Sequence, residues 1–306
     1  MTQPVISIPA TCMLLSSPTT HNLNNVFFID EHTGFVVGDS GTVLKTSNAG
    51  DSWSQVTVPT KQKLYDLYFF NSDTGFVCGD QVFFQTTNSG VTWAEIDSGL
   101  LFANIHFFDG VKAVLSGGKS SSGHQMPFLL VSSDGGASWD YRSPNFPANS
   151  SAPIYAGESF YDFYDGFLFI HDPLQGYASV YRTNDNGRTW NSVYYADHGI
   201  SAAYCANSST VYMCSDSGLV IKSTDFGLSW VGRTSGTTHD LSSLYFISAD
   251  AGYAAGASGT IISTSDGGAN WNSLSSGTSS ALRAIYFPTA SVGFVVGANG
   301  TIIKIL

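Results

Sequence analysis

Six times the chain writes Ser/Thr-x-Asp/Asn-x-Gly-x-Ser/Thr/Asn-Trp, and each of its six tryptophans closes one copy. The copies end at Trp53, Trp93, Trp139, Trp190, Trp230 and Trp271, at intervals of 40, 46, 51, 40 and 41 residues. A period of that length marks a repeat architecture, in which each unit buries its apolar faces only against its neighbours. The motif itself reads as a hairpin clasp. Asn48, Asn88, Asp134, Asp185, Asp225 and Asp266 offer an acceptor to backbone N–H groups two residues on. The glycine two places later supplies a positive φ, a hydroxyl ties the turn, and the tryptophan opens a strand with a large face to bury.

Short apolar segments precede each clasp. In repeat one, Leu23–Ile29, Gly34–Gly38 and Thr42–Thr46 read as strands and Trp53–Val58 as a fourth, which together make an antiparallel meander. Phe35-Val36-Val37 is apolar on both faces, as expected of a sheet held between two others. The units run 22–58, 64–96, 102–141, 155–194, 200–232 and 241–274, and a seventh, 282–306, has three strands and no clasp. Trp53 lies 11 residues before Leu64, and Trp271 lies 11 before Leu282; the same step back from Leu23 reaches Cys12. Thr11–Leu15 (11–15) is therefore expected to supply the missing outer strand and remove an exposed edge. The expectation is a single all-β domain: a seven-bladed β-propeller of four-stranded antiparallel blades, the last closed by the N-terminal strand. Val5–Ile8 has no place in that scheme.

Composition acts as a filter on function. A net charge of −11 with only 12 Lys+Arg argues against nucleic acid or an anionic membrane as partner. No apolar run is long enough to span a bilayer, so no membrane insertion is expected, and the N-terminus lacks the basic and long apolar regions of a signal peptide. With charged residues at 11%, the Ser/Thr/Asn/Gly-rich chain has the composition of an extracytoplasmic or virion-surface protein. Cys78 and Cys214 take the same position in non-adjacent repeats, too far apart to pair.

Catalytic constellations are sparse. A sialidase needs an arginine triad, whereas Arg188 sits in a clasp and Arg142, Arg182, Arg233 and Arg283 are spread over four repeats. Other glycosidases need only two carboxylates, for which Asp39, Asp80, Asp172, Asp216 and Glu158 are candidates. Asp39, Asp80 and Asp216, however, recur at one repeat position, as turn-capping residues do. Histidine and cysteine spacing offers no metal site, and neither a phosphate-cradling loop nor a nucleophile elbow occurs. No catalytic set, metal or cofactor is expected.

What remains is surface. The insertions 118–126, 143–153 and 171–176 map to one face and to the adjacent repeats three and four. Loops on a rigid ring are where such folds carry function. Lys119, His124, Phe146, His171, Asp172 and Tyr177 are the candidate contacts to a protein or glycan. The expected function is a non-catalytic binding or assembly module; the alternative is a glycoside hydrolase. Oligomeric state is left open.

The clasp resembles the Asp-box (BNR) repeat. A narrower likeness lies in Leu282-Arg283-Ala284-Ile285, Val292-Gly293-Phe294-Val295-Val296-Gly297 and Gly300-Thr301-Ile302, a unit followed elsewhere by the clasp. It resembles the repeat of photosystem II stability/assembly-factor-like propellers. His171-Asp172-Pro173 with Gly176, and then Tyr181-Arg182-Thr183 leading to Trp190, is similar to a variant of it. The resemblance runs from Leu23 onward and implies the propeller fold and a binding or assembly role. Such proteins tend to ring the channel with arginines. Here the positions equivalent to Arg283 are Asn24, Tyr65, Ala103, Ala156, Ser201 and Ser242, so no basic patch is expected.

Overall fold

A computed structural model describes residues 8–121, 124–143, 154–172 and 177–306. Within them β1 (Cys12–Leu15) precedes the first repeat, which folds as β2 (Leu23–Phe28), β3 (Gly34–Gly38), β4 (Val43–Thr46) and β5 (Ser54–Val56). Then come β6 (Leu64–Phe69), β7 (Gly75–Thr86), β8 (Ala94–Phe107), β9 (Ala113–Ser121), β10 (His124–Ser132) and β11 (Asp140–Arg142). Repeat four gives β12 (Ile154–Phe160), β13 (Gly166–Asp172), β14 (Tyr177–Thr183) and β15 (Asn191–Ala196). Repeat five gives β16 (Ile200–Cys205), β17 (Val211–Ser215), β18 (Val220–Ser223) and β19 (Val231–Arg233). Repeat six gives β20 (Leu241–Phe246), β21 (Gly252–Gly256), β22 (Ile261–Thr264) and β23 (Asn272–Leu274). The last are β24 (Leu282–Thr289), β25 (Val292–Gly297) and β26 (Ile302–Ile305).

The architecture is an all-β propeller of four-stranded antiparallel blades. Inner strands β24, β2, β6, β8, β12, β16 and β20 neighbour one another in that order, and β20 returns to β24. Cys12 pairs with Ile305 and Leu15 with Ile302, so β1 is hydrogen-bonded along β26. The Leu306 N–H to Thr11 carbonyl bond (2.8 Å) and the Thr11 N–H to Leu306 carbonyl bond (3.0 Å) lengthen that seam. Most of Val5–Ile8 lies outside the described residues; Ile8 packs against the apolar cluster of β24 and β26.

Seven separate sheets are not what the described residues form. Four sheets have four strands each: β1-β26-β25-β24, β2–β5, β16–β19 and β20–β23. Strands β6 to β15 join into one ten-stranded sheet. The physical reason is local. Where repeat one makes the tight turn Asp39-Ser40-Gly41, repeat two has only Asp80-Gln81, and the chain reverses at Gln81 (φ 60°) without leaving the ladder. β8 likewise carries the outer strand of repeat two straight on into the inner strand of repeat three. A single parallel pair, Gln125 with Ile154, joins β10 to β12.

Packing between neighbours is aromatic face on aromatic face. Phe28 stacks on Phe294 at 4.3 Å, Phe35 on Phe69 at 4.1 Å, Tyr212 on Phe246 at 3.8 Å and Tyr253 on Phe287 at 4.4 Å. Each such burial stabilises by about 1.5–3 kcal/mol. The stack sets the glycine at the start of the second strand: a Cβ on Gly75 would sit 2.4 Å from the Phe69 ring.

The clasps differ from expectation in their wiring. The Gly50 N–H donates to Thr46 Oγ1 (3.0 Å), and Asn48 Oδ1 accepts from the N–H of Ser52 four residues on (3.0 Å), not two. Asp134, Asp185, Asp225 and Asp266 repeat the arrangement with Ser138, Thr189, Ser229 and Asn270. Two successive residues with positive φ, Ala49 (56°) and Gly50 (81°), turn the glycine N–H inward onto the hydroxyl. Each clasp is also tied to the first turn of its own repeat, as by the Ala49 N–H to His32 carbonyl bond and the Gly267 N–H to Asp250 carbonyl bond. The tryptophans stand one residue before the outer strand and meet a phenylalanine edge-on, as Trp93 does Phe69 at 6.1 Å. All the cysteines are free thiols.

Candidate functional site

Inner strands line a central channel of about 560 Å³. The cross-strand register places Phe27, Tyr68, His106, Ser159, Tyr204, Tyr245 and Tyr286 at one level of it. All but Ser159 form an aromatic collar: Phe27 lies 4.9 Å from Tyr68 and 5.3 Å from Tyr286, and Tyr245 lies 5.2 Å from Tyr204 and 5.6 Å from Tyr286. The hydroxyls stitch one inner strand to the next. Tyr204 donates to the Phe246 carbonyl (2.9 Å), Tyr245 to that of Phe287 (3.1 Å) and Tyr286 to that of Phe28 (3.3 Å). Burial raises all three phenols, so they remain donors throughout the ordinary pH range. Sequence reasoning missed the collar; its signal is the aromatic that recurs at the fifth position of most inner strands.

Three residues before the collar positions of β2 and β24, Arg283 donates to Asn24 Oδ1 (2.5 Å). Asn24 in turn donates to Asp39 (3.1 Å) and to the Leu64 carbonyl (2.7 Å). Burial pushes Asp39 up, but the Asn22 and Asn24 amides and nearby Lys63 outweigh it and hold the carboxyl below its ordinary value. Asp39 is thus a brace between β2 and the turn. Asp66 is buried deeper and accepts from Asn25, from the Leu67 N–H (2.7 Å) and from the Ile105 N–H (2.8 Å). Desolvation raises it to about 7. Glu158 is set in the wall between β9 and β12 and does not share the mouth with Asp39. Asp80 lies within β7, paired with Leu101, and Asp216 opens the turn after β17.

The insertions are less loop-like than their composition implies. Residues 118–121 and 124–126 prolong β9 and β10 as a hairpin, with Met126 opposite Lys119 and His124 opposite Ser121. Lys119 is exposed. His171 lies on β13 between Ile154 and Ala178, and Asp172 pairs with Tyr177 at its tip. The Tyr177 ring is 4.4 Å from Tyr195, an exposed tyrosine. Phe146, with most of 143–153, and residues 173–176 lie outside the described residues. No group of three or more His, Cys, Asp or Glu suited to a metal occurs among the described residues.

Ring, collar and clasps together define a clasp-repeat β-propeller with an aromatic-lined channel. A family model described as "Photosynthesis system II assembly factor YCF48" matches residues 11–99 and 46–199. The chain belongs to that family. A model of the DUF6242 β-propeller domain matches residues 165–302. Among solved structures, one titled "YCF48 bound to D1 peptide" superposes with a TM-score of 0.79 at 17% identity, covering 98% of this chain and 99% of that one. YCF48 from Cyanidioschyzon merolae gives 0.77 at 17% identity, covering 97% and 98%. The WD40 β-propeller domain of Doa1 gives 0.73 at 12%, covering 98% and 96%. No curated protein matches.

Proposed function

We propose that this protein is a non-catalytic assembly or binding module that holds a segment of a protein partner on the face carrying the repeat-three and repeat-four extensions. The observation that carries the reading is the family membership, joined to a similar propeller seen with a bound peptide. The contacts assigned to this chain are Lys119, His124, Phe146, His171, Asp172 and Tyr177. Among the described residues that line the channel Arg283 is the one arginine, and it is bonded to Asn24, so recognition is not assigned to an arginine cluster. A charge of −11 favours a neutral or basic segment over an acidic one. We count the repeat units by inner strand, seven in all, with the boundaries given above and 11–15 as the closing strand; the ring of inner-strand neighbours supports that count. The charge-poor surface supports placement outside a cytoplasm or on a virion.

Panning a random peptide library against the purified protein tests the partner class. Enriched peptides are expected, and their binding should disappear on shortening 118–126 or on His171→Ala while the melting temperature holds. Absence of enrichment, or peptides indifferent to both changes, overturns the reading. So does turnover of an aryl glycoside that stops when Asp39, Asp80, Asp172 or Asp216 becomes Asn.

A further inference from the structure

Repeat four breaks the pattern at two consecutive positions of its inner strand. Glu158 stands opposite Leu168 as Val26 stands opposite Val36, Leu67 opposite Val77, Ile105 opposite Leu115 and Ile285 opposite Val295. An acid therefore fills an aliphatic slot. The next residue, Ser159, leaves the gap in the aromatic collar, and its hydroxyl lies 3.5 Å from the Cys205 sulfur. In its slot the Glu158 carboxyl bonds Ser116 on β9, while Oε2 is buried with no hydrogen-bond partner. No ion pair among the described residues includes Glu158 or Asp66.

The titratable groups around Glu158 come from four other strands. Asp66 on β6, Cys78 on β7 and Cys205 on β16 act on it or are acted on by it, and His106 on β8 lines the same stretch of channel. None of them is a cation at pH 7: burial raises both thiols, and desolvation lowers the imidazole. An ionised Glu158 would carry a bare oxygen between β9 and β12 and face a second acid, an arrangement the interior disfavours.

We propose that Glu158 is a proton-operated latch on the seam between β9 and β12. Protonated, it closes the seam and seats the β9–β10 hairpin against repeat four. Ionised, it draws water into the seam and loosens the hairpin that carries Lys119. The link to partner capture rests on the function proposed above, but the latch itself does not.

Burial, reinforced by Asp66, pushes Glu158 from 4.5 up to about 8. Asp66 itself is raised from 3.8 to about 7. Both folded-state values exceed the unfolded ones, so the latch is fully closed below the lower values and is lost as pH rises through the higher ones.

Hydrogen–deuterium exchange of the intact protein at about pH 6 and about pH 8.5 tests this, corrected for intrinsic exchange rates. In the native sequence, protection of β9 and β12 amides should fall severalfold at the higher pH, while β21 and β22 stay unchanged. Glu158→Leu, which restores the aliphatic slot, should hold protection at both pH values, and the isosteric Glu158→Gln should remove the pH dependence. An unchanged pH dependence in Glu158→Gln would overturn the latch. So would lower protection of β9 and β12 at both pH values in Glu158→Leu, since the carboxylate would then be a structural anion. Peptide capture is not used, so this result stands or falls separately from the binding role.

Discussion

The ring has two unlike halves. From β16 round to β2, each four-stranded sheet is separate, and tyrosine hydroxyls fasten the inner strands in sequence. From β6 to β15 the sheets are fused. There the same level of the channel is held by Tyr68, His106 and Ser159, of which only Tyr68 carries a phenol. The extensions, the acid in an aliphatic slot and the parallel β10–β12 bridge all fall in this second half. Regular repeats close the ring, and departures from the repeat gather where the partner face is proposed. A propeller thus keeps one arc for stability and spends irregularity on the other.

Removing the closing strand should do the most damage. Deleting residues 1–16 strips β26 of its outer partner and opens an apolar edge, so cooperative melting should be lost and light scattering should rise. An unchanged calorimetric transition would show that the stitched half does not depend on closure.

Next in size are the clasp hydroxyls. Thr264→Val strands the buried Gly268 N–H and should cost about 1–3 kcal/mol in denaturant unfolding. Thr86→Val does the same to Gly90, and a smaller loss there would mark the fused half as the looser one.

Tyrosine to phenylalanine changes are milder. Tyr204→Phe, Tyr245→Phe and Tyr286→Phe should each cost about 1 kcal/mol, against little for Tyr68→Phe. Equal effects at all four would erase the distinction between the halves.

The smallest effect is a pH slope. Ser229 and Ser223 hold Asp225 down at about 2, so its contribution is present above the ordinary 3.8 and is lost as pH falls through the folded value. Asp225→Asn should flatten the acid limb of the melting curve slightly. Asn48 and Asn88 already make their clasps without that charge.

Much of this was legible from spacing. The tryptophan period marked the repeats, and an 11-residue offset led from Leu23 back to Cys12, which does pair with Ile305. The ten-stranded sheet was not legible, because it follows from Asp80-Gln81 being one residue shorter than Asp39-Ser40-Gly41, a difference that single-repeat reading takes for an ordinary turn. The collar needs the cross-strand register to bring Tyr68 and Tyr286 to one level. Glu158 was picked out as a possible catalytic acid, whereas only the slot shared with Val26 and Leu67 reveals its burial. The aspartates of the clasps accept from an N–H four residues on, where spacing alone suggested two.

The β1–β26 seam also sets an order of events. It joins Cys12 to Ile305, so loop-closure entropy opposes it more than any hairpin within a repeat. Local meanders can form early, but the circle can shut only after the intervening sheets have already curved into place. Refolding should therefore show a late phase, sensitive to substitutions in β1 and blind to those in the clasps, as expected when long-range pairing limits the rate.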